Sequence, residues 1–422
     1  MTIKSTLARR EKKLAFALLL PTFCLVIAIV LFPLFANFWI SFKPVSLGDL
    51  RPPTIFVKER VKGELQKPGE DIIIEYRYRN SSMKYPLSEV SFTDILPQGI
   101  ELSEIDTRCE VEKSSKIKKL TCILGEVEPK ARGKILLNAF SNTLLEKNDF
   151  QESEVQSIFK STNVLTSLDF TISNYLKVFS ASEFFEVLKT TIYYTFFGTA
   201  GALLLGLFAA QIMQKAFPGR AFVRGILLFP YVAPVIAVAF SWVILFDPFS
   251  GSVNAMMLEL GVVKEPINFF GQRYATIGLL GLEIKLPVAL TMVIIFEIWR
   301  YFPLSFLFIL ARMQSIPSDL FEAAEMDGAT PFQQFWFLSI PHIIGILGVL
   351  FLLRFIWTFN KFDDIFLLTG GNAGTRTLTV NVYEQAFAIS NLGAGAAVAV
   401  IIFVFLLIFS ILFIRYTPKD EG

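Results

Sequence analysis

Long apolar runs, separated by short polar links, make up most of this sequence of 422 residues. A helix that crosses a membrane needs about 20 apolar residues, and six runs meet or approach that length. These runs cover residues 14–42, 190–213, 225–246, 286–311, 335–360 and 386–414. Four of them contain no charged residue, whereas Glu297 and Arg300 lie in the fourth run and Arg354 lies in the fifth. The pattern predicts a polytopic α-helical membrane protein with six transmembrane helices.

Lys and Arg residues are concentrated in the links on one side of the predicted membrane. They are Arg9, Arg10, Lys12, Lys13, Lys215, Arg220, Arg224, Arg312, Arg415 and Lys419. Cytoplasmic links carry an excess of these residues, so both termini are expected in the cytoplasm, as a flank of residues 1–13 and a tail of residues 416–422. A secretory signal peptide is the alternative for the first run, but the run is too long and no small-residue cleavage site follows it. We therefore expect a retained helix at residues 14–42.

The period of the pattern changes to two between the first and second runs. Ile72, Ile74 and Tyr76 there alternate with more polar neighbours, as in a half-buried β-strand. Turn signals follow at residues 80–82, 97–99 and 129–133. We expect an extracytoplasmic insert at residues 43–183, with a small antiparallel β-sandwich at about 50–145 and a linker from there to residue 183. Five helices and their links then form a helical membrane core at residues 184–415.

Two of the three cysteines, Cys109 and Cys122, fall in the insert. We expect them to form a disulfide across a hairpin, because such bonds persist outside the cytoplasm. Two free thiols are the alternative. Cys24 lies within the first apolar run and is expected to be a small buried hydrophobe.

Composition and charge exclude several classes of function. Hydrophobic residues make up 53% of the chain and charged residues 18%, which is too apolar for a soluble domain. A formal net charge of +2 without a long basic run argues against a nucleic-acid partner. One histidine and three cysteines leave no rich metal site. The Gly133-Lys134 pair is followed by Ile135, so no G-x-x-x-x-G-K-[ST] phosphate loop is present and nucleotide hydrolysis by that route is not expected.

A polar segment follows the fourth run, in a link that is expected to be cytoplasmic. Ser318 is the predicted N-cap and Gly328 the predicted left-handed stop of a short helix at residues 319–327. The next helix is expected to begin with a capping box and a proline, from Thr330, Pro331 and Gln333. A helix of about two turns is unstable alone in water, so it needs a surface, which Leu320 and Phe321 could contact. An amphipathic connector on the bilayer is the alternative, although its acids disfavour anionic lipids.

The segment EAAEMDGATPFQQFWFLSIP at residues 322–341 resembles the EAA loop of ABC-importer permease subunits. Two further segments, GRAFVRGILLFPYVAPVIAVAFSWVILFDPFSG and FNKFDDIFLLTGGNAGTRTLTVNVYEQAF, resemble the sugar-permease branch of that family. One departure is Ile340-Pro341, where the family often has Leu-Pro. The resemblance implies a coupling loop at residues 315–335, whose helix docks into a cleft on a cytoplasmic ATPase. The implied docking residues are Glu322, Ala323, Ala324, Asp327 and Gly328.

The resemblance also implies an assembly, in which this chain has the ABC type I importer permease fold and is not an enzyme. ATP is expected to be bound by a separate ATPase dimer, so the chain itself needs no cofactor. A second permease subunit, usually a different chain, and an extracytoplasmic solute-binding protein complete the machine in a prokaryotic cytoplasmic (inner) membrane.

The insert is similar to the immunoglobulin-like repeats of bacterial surface proteins, through TDILPQGI and LTCILGEVEPKARGKI. The maltose-type permease of enteric bacteria carries such a domain in the equivalent loop, where it contacts the binding protein. That resemblance implies a role for the insert in docking a binding protein, with contact to cell-envelope material as the alternative.

Charged side chains inside predicted spans mark candidate cargo contacts, because charge is costly in a bilayer. Glu297 and Arg300 share a helix face, so an internal ion pair is at least as good an interpretation for Glu297 as a cargo contact. Arg300 and Tyr301 precede Pro303, where a helix can open, whereas Arg354 is expected to extend toward the outer interface. By resemblance to maltose-type permeases, the cargo-facing residues are Arg300, Tyr301, Leu304, Trp357, Thr358, Asn360 and Lys361.

The cargo that the resemblance implies is a sugar or oligosaccharide of maltose type. The alternative is glycerol-3-phosphate or a related phosphorylated polyol, which Arg300 and Lys361 would suit equally. A surface adhesin or sensor anchored by helices would leave the EAA-like loop without a purpose. An ion-driven secondary transporter would work without an ATPase, but the inverted repeats of many such carriers are not visible.

Overall fold

The structure, a computed structural model, describes residues 6–63, 65, 67–113, 118–144, 150, 155–214, 216–279 and 282–417. The chain divides into two compact units. The membrane unit consists of Met1–Phe42 with Ile172–Gly422 and is built from apolar helices. The β unit, Lys43–Thr171, is built from strands.

The β unit has eight strands among its described residues. They are β1 (Ile55–Lys62), β2 (Asp71–Asn80), β3 (Leu87–Leu96), β4 (Ile100–Glu104), β5 (Cys109–Lys113), β6 (Lys118–Val127), β7 (Arg132–Ser141) and β8 (Gln156–Ser161). One four-stranded sheet has the order β1-β2-β7-β4, and the other has the order β5-β6-β3-β8. All neighbouring strands are antiparallel. The two sheets enclose a main hydrophobic cluster and a smaller one formed by Ile55, Leu87, Val90 and Val127.

The core takes alternate residues from each strand. Ile72, Ile74 and Tyr76 of β2 are buried and pack with buried residues of β3, β6 and β7, as the period of two predicts. Cys109 and Cys122 lie directly opposite each other in β5 and β6, and a disulfide joins them. The bond ties the edge strand β5 to the sheet.

The β unit differs from the predicted insert at its carboxyl end. Its compact part ends at Thr171 rather than at residue 183. The next helix, α3 (Ser173–Ser180), belongs to the membrane unit, where the Asn174 side-chain amide donates to the Ser41 carbonyl at 2.9 Å. The linker expected after residue 145 includes strand β8, which the polar composition of that stretch concealed. Residues 145–149 and 151–154 of that predicted linker lie outside the described residues.

The β unit also contains a short 3-10 helix (Leu47–Leu50), and the other elements lie in the membrane unit. They are α1 (Thr6–Val26), a π turn (Ile27–Leu31), α2 (Phe32–Ser41), α3, α4 (Phe184–Gln214), α5 (Arg220–Val232), α6 (Val235–Leu245), α7 (Ser252–Glu259), β9 (Ala275–Leu279), β10 (Leu282–Leu286), α8 (Val288–Gln314), α9 (Ser318–Met326), α10 (Pro331–Gln334), a π turn (Phe335–Ser339), α11 (Ile340–Phe359), α12 (Asp363–Thr369), α13 (Leu378–Tyr383), a π turn (Glu384–Ala388) and α14 (Leu392–Tyr416).

Five described helical segments are long and apolar enough to cross a membrane. They are Glu11–Ser41, Phe184–Gln214, Val288–Gln314, Pro331–Phe359 and Leu392–Tyr416. The chain is therefore a multi-pass membrane protein. A sixth crossing exists only if α5 and α6 are counted as one span, and they meet at 91°.

The predicted third span, residues 225–246, is thus not one helix. Ala233 adopts extended angles (φ −61°, ψ 141°) at the carboxyl end of α5. Pro234 follows it, and a residue before proline is pushed out of the helical region. The apolar run at residues 225–246 continues on both sides of Pro234, so hydrophobicity alone did not show this turn.

The predicted sixth span, residues 386–414, also begins later than expected. Helix α14 starts at Leu392, because the Asn391 side-chain oxygen accepts from the Ala394 amide at 3.1 Å and caps the helix. The first residues of the predicted span, up to Ala388, belong to the π turn that follows α13. The apolar residues on both sides of Asn391 hid this helix start.

Two carboxyl groups of the β unit, from Asp94 and Glu59, are associated with the buried Tyr76. Asp94 of β3 is buried, and its carboxylate accepts from the Tyr76 hydroxyl at 2.6 Å. Glu59 of β1 pairs with Tyr76 in the strand register. Burial, with a smaller contribution from the Asp94 charge, raises the pKa of Glu59 from its ordinary 4.5 to about 8. The folded β unit therefore holds a proton on Glu59 at neutral pH.

We expect the stability of the β unit to fall as pH rises, because the unfolded chain releases the Glu59 proton at lower pH than the folded chain does. The stabilisation is complete below the ordinary pKa of 4.5 and is lost as pH rises through about 8. Glu59→Gln should remove this decline. The urea midpoint of the β unit at several pH values, read by pulse proteolysis of the full chain, measures it. Glu101→Gln, at an exposed position of β4, is the matched control, and an unchanged pH slope in Glu59→Gln would contradict the prediction.

Candidate functional site

A buried ion pair joins two helices in the membrane unit. Glu297 of α8 and Arg354 of α11 are almost fully buried, and Arg354 Nη2 lies 2.5 Å from Glu297 Oε1. The Thr358 hydroxyl donates to the same oxygen at 2.9 Å, and the Tyr194 hydroxyl of α4 donates to Oε2 at 3.0 Å. Three helices therefore satisfy one carboxylate.

This arrangement corrects two expectations. Glu297 does not pair with Arg300, and Arg354 does not extend toward a membrane interface. The fixed partner across the helix interface satisfies both charges inside the unit, which an isolated helix cannot do. Tyr194 was missed, because its separation of 103 positions from Glu297 leaves no local signal in the sequence.

Arg300 supports the break between α5 and α6. Its Nη2 donates to the carbonyl of Ala233 at 3.1 Å, and Nη1 donates to the carbonyl of Pro230 at 3.5 Å. Carbonyls at the end of a helix lack intrahelical donors, and no water is available in the hydrocarbon region. The buried guanidinium therefore stabilises the 91° turn.

Tyr301 is surrounded by three cations, one from α8, one from α11 and one from the link between α11 and α12. Lys361 donates from Nζ to the Tyr301 hydroxyl and lies 4.2 Å from its ring centroid. The Arg354 guanidinium lies 4.5 Å from the same centroid, and Arg300 Nε donates to the hydroxyl at 3.3 Å. The ring thus connects the ion pair to the start of α12.

Two acids at the start of α12 balance Lys361. Its Nζ lies 3.6 Å from Asp364 Oδ2 and 3.7 Å from Asp363 Oδ1. Asp364 is fully buried, and within the described residues neither of its carboxylate oxygens has a hydrogen-bond partner. Asp364 was not among the predicted site residues, although its spacing of three from Lys361 was a readable signal.

The remaining predicted cargo residues are less closely connected. Leu304 is half-buried, Trp357 is 51% exposed, and the exposed Asn360 amide donates to the Ile356 carbonyl at 2.8 Å. The structure thus brings together four of the seven predicted residues around Glu297 and Tyr301. Those four are Arg300, Tyr301, Thr358 and Lys361.

The acidic helix α9 is nine residues long and contains no buried residue. Pro317 occupies its N-cap position, so the expectation that Ser318 caps the helix was wrong. Gly328 has φ +80°, its amide donates to the Glu325 carbonyl at 3.0 Å, and the Ala329 amide donates to the Ala324 carbonyl at 2.9 Å. This is a Schellman stop, which requires the left-handed residue that glycine supplies.

One side of α9 is attached to the membrane unit and the rest is exposed. Phe321 packs against the apolar cluster that α4, α8 and α11 share, so it is not free to fill a groove on another protein. Glu322, Ala323, Asp327 and Gly328 are exposed, and Ala324 is half-buried. A pocket of about 320 Å³ lies between the end of α9 and the next helix, lined by Ala324, Asp327, Gly328, Ala329, Gln333, Gln334, Phe337 and Leu338.

The helix after α9 starts as the sequence predicts. Gln333 Oε1 accepts from the Thr330 amide at 2.8 Å, the Gln333 amide donates to Thr330 Oγ1 at 3.4 Å, and Pro331 is the first helical residue. The Gly328 stop and this helix start thus define the carboxyl end of α9. Within the described ranges, no three His, Cys, Asp or Glu side chains gather to hold a metal ion.

Comparison with known proteins shows what the chain is similar to. Residues 202–418 match the family described as "Binding-protein-dependent transport system inner membrane component", a match that leaves out the β unit. The chain is 34% identical over 222 residues to the "Inner membrane ABC transporter permease protein YcjO" of Escherichia coli (strain K12), covering 53% of this chain and 71% of that protein.

Two further relatives have names that include a cargo. One is the "Trehalose/maltose transport system permease protein MalF" of Thermococcus litoralis, 33% identical over 53% of this chain and 70% of that protein. The other is the "sn-glycerol-3-phosphate transport system permease protein UgpA" of Escherichia coli O6:K15:H31, 28% identical over 58% of this chain and 79% of that protein.

A solved structure of a bacterial ABC transporter involved in the import of the acidic polysaccharide alginate is also similar. It matches with a TM-score of 0.51 and 21% identity, covering 60% of this chain and 86% of that chain. At this identity the likeness shows a shared permease fold.

We expect Arg354→Gln to lower the free energy of unfolding of the membrane unit by about 3–5 kcal/mol, because it leaves Glu297 buried without its counter-charge. The double variant Glu297→Gln with Arg354→Gln should recover most of that loss. Denaturant titration in detergent, followed by tryptophan fluorescence, reports this unit alone, since all five tryptophans lie outside the β unit.

Thr195→Val is the matched control for these variants. Thr195 is buried near Tyr194 on α4, and its hydroxyl has no hydrogen-bond partner within the described residues. Its replacement should therefore be neutral or stabilising. A double variant as unstable as Arg354→Gln alone would contradict the proposed cause.

Proposed function

Since the chain belongs to the family of binding-protein-dependent transport system inner membrane components, we propose that it is a permease subunit of an ATP-driven ABC importer that moves a sugar or oligosaccharide into the cell. The chain is a transport component and not an enzyme. In this proposal ATP is bound and hydrolysed by a separate ATPase dimer, so the chain itself holds no cofactor.

The exposed helix α9 is the observation that carries the coupling part of the proposal. A helix of nine residues gains little stability from its own hydrogen bonds. Its attachment through Phe321 leaves Glu322, Ala323 and Asp327 facing outward. Such a helix presents a fixed, partly acidic surface, and we assign it to contact with the ATPase, together with Ala324 and Gly328.

The proposal places α9 and both termini in the cytoplasm of a prokaryotic cell and the β unit outside it. This orientation agrees with the distribution of Lys and Arg and puts the Cys109–Cys122 disulfide where such bonds persist. The β unit, with its immunoglobulin-like sequence, then faces the solute-binding protein. A second permease subunit, expected to be a different chain, completes the translocation path.

Charge balance favours an uncharged cargo over a phosphorylated polyol. Arg354 is neutralised by Glu297, and Lys361 lies between Asp363 and Asp364. The buried Arg300 guanidinium donates to backbone carbonyls, which leaves its donors engaged.

The polar cluster around Tyr301 contains three cations and three acids, which are Arg300, Arg354, Lys361, Glu297, Asp363 and Asp364. Its positive charges are therefore balanced within the cluster, and no excess positive charge is left to bind a phosphate. A neutral sugar, by contrast, needs aromatic faces and hydrogen-bonding groups rather than net charge. We assign cargo contact to Tyr301, Leu304, Trp357, Asn360 and Lys361. Arg300 and Thr358 are assigned to holding the site in shape.

We expect Gly328→Asp to abolish uptake and to reduce the ATPase that co-purifies with the chain, while membrane insertion is retained. An aspartate at φ +80° costs about 1–2 kcal/mol of local conformational energy and disturbs the end of α9. Gly261→Asp is the matched control, because Gly261 also has positive φ (+67°) and open space around it but lies far from α9 in the sequence. Wild-type uptake by Gly328→Asp would contradict the coupling role.

We expect cells that carry the complete transporter to take up a labelled neutral disaccharide, with glycerol-3-phosphate in excess failing to compete. The physical reason is the absence of an uncommitted cation in the cluster around Tyr301. Uptake is measured with a panel of neutral sugars and with labelled glycerol-3-phosphate, using cells with the Gly328→Asp chain as background. Transport of glycerol-3-phosphate alone would reverse the cargo assignment.

A further inference from the structure

A second polar cavity lies in the membrane unit, between α3, the start of α4, α13, the π turn Glu384–Ala388 and the start of α14. None of the residues assigned above to cargo or ATPase contact lines it. Its volume is about 340 Å³, within the range of about 300–1,000 Å³ that small-molecule sites occupy. The cavity is therefore large enough to be a binding site of its own.

Three charged side chains fix one wall of this cavity. Arg376 Nη1 lies 2.6 Å from Glu183 Oε2, and Arg376 Nε lies 3.1 Å from Glu384 Oε2. Glu183 lies between α3 and α4, Arg376 precedes α13, and Glu384 begins the π turn, so one guanidinium connects three segments. Lys177 of α3 is the fourth charged residue of the lining. Two cations and two acids leave the lining without net charge.

Three polar side chains of the lining are free to contact a ligand. Within the described residues, the amides of Asn381 and Gln385 and the ammonium of Lys177 take part in no side-chain hydrogen bond or ion pair. Each amide offers both donors and an acceptor, and the ammonium offers donors. Phe184 and Val187 of α4 add apolar surface to the same cavity. The lining thus combines uncommitted hydrogen-bonding groups with an apolar side.

The backbone is unusual where it carries Gln385 into the lining. Glu384–Ala388 forms a π turn, a form that is frequent at functional sites. Ser390 follows with φ +60°, in the left-handed region that favours glycine. Residues other than glycine in that region are strained, and such residues cluster at ligand sites. The Asn391 amide donates to the Gln385 carbonyl at 2.8 Å, which closes this irregular segment before α14 begins.

We propose that this cavity binds a neutral saccharide, as an outer site that the cargo occupies before it reaches the cluster around Tyr301. A lining without net charge gives an ion no advantage, whereas amide and ammonium groups suit hydroxyls and the apolar side suits the C–H face of a sugar ring. The inference rests on the proposed function for its direction. In the proposed orientation α14 ends in the cytoplasm, so its start and the cavity lie on the outer side of the membrane.

The test measures how a sugar protects a thiol placed in the cavity. Gln385→Cys is combined with Cys24→Ala, because Cys24 is free and the other two cysteines form a disulfide. The complete transporter is held in lipid nanodiscs, since the sugar headgroup of a maltoside detergent would compete, and is labelled with a charged maleimide. Maltose and trehalose are the probes. A probe that binds should slow labelling about tenfold at about ten times its Kd, by mass action, and glycerol-3-phosphate should not.

Matched variants locate the protection. Glu265→Cys places a thiol at an exposed position that does not line the cavity, and its labelling should be unaffected by sugar. Asn381→Leu, added to Gln385→Cys, should raise the sugar concentration for half-protection about tenfold, the effect of losing the hydrogen bonds of one amide. Asn372→Leu, at an exposed asparagine outside the lining, should leave that concentration unchanged. If Gln385→Cys fails to assemble, Lys177→Cys provides a second thiol in the lining with the same expected protection.

Uptake by cells that carry the same variants separates this inference from the proposed function. A disaccharide that is taken up but gives no protection would overturn the outer site and leave the proposed function standing. Failure of both uptake and protection would overturn both. Protection that is lost in Asn360→Leu but kept in Asn381→Leu would show that the thiol reports binding at the cluster around Tyr301. Protection by a solute-binding protein without sugar would identify the cavity as a protein contact instead.

Discussion

A charge inside a bilayer must be balanced where it lies, and the Glu297–Arg354 pair shows how much structure that requirement fixes. The carboxylate needs its counter-charge at 2.5 Å and further donors for its remaining lone pairs. Those donors come from Thr358 and Tyr194, so α4, α8 and α11 must all meet at one point. Gly198 allows this approach, because a Cβ there would lie 2.9 Å from Glu297 Cγ. The packing of three helices thus follows from one buried acid.

The same demand explains the turn between α5 and α6. A 91° bend leaves carbonyls without donors in a region that holds no water to replace them. Arg300 supplies those donors from the helix that also carries Glu297. Glu297 and Arg300 are therefore neighbours on α8 with different duties, one joining helices and the other stabilising a break. Tyr301 contacts both Arg354 of the ion pair and Arg300 at the helix break, so the two sets of interactions form one network.

Local patterns in the sequence were sufficient for much of the fold and of α9. Apolar runs located five spanning segments, the period of two located β2, and the capping residues Thr330 and Gln333 marked a helix start. Contacts between residues that are far apart in sequence could not be predicted. No local pattern near Glu297 indicates that Tyr194 binds it, or that Arg354 rather than Arg300 is its ion-pair partner. Hydrophobicity alone could not show the turn at Ala233 or the cap at Asn391, because one capping or pre-proline residue outweighs a run of apolar neighbours.

Helix α9 and the buried ion pair are linked by both of the helices that flank α9. Helix α8 runs about 25 Å from Glu297 to Gln314, at about 1.5 Å per residue, and three residues then lead into α9. On the other side, the Gly328 stop and the Thr330 capping box lead through a π turn into α11, which carries Arg354. Phe321 fixes α9 to the cluster that these two helices share. If α9 contacts the ATPase as we propose, its displacement would act together on α8 and α11, the two helices that carry Glu297 and Arg354. A concerted movement of packed helices of this kind is one way in which a transporter could switch between two access states.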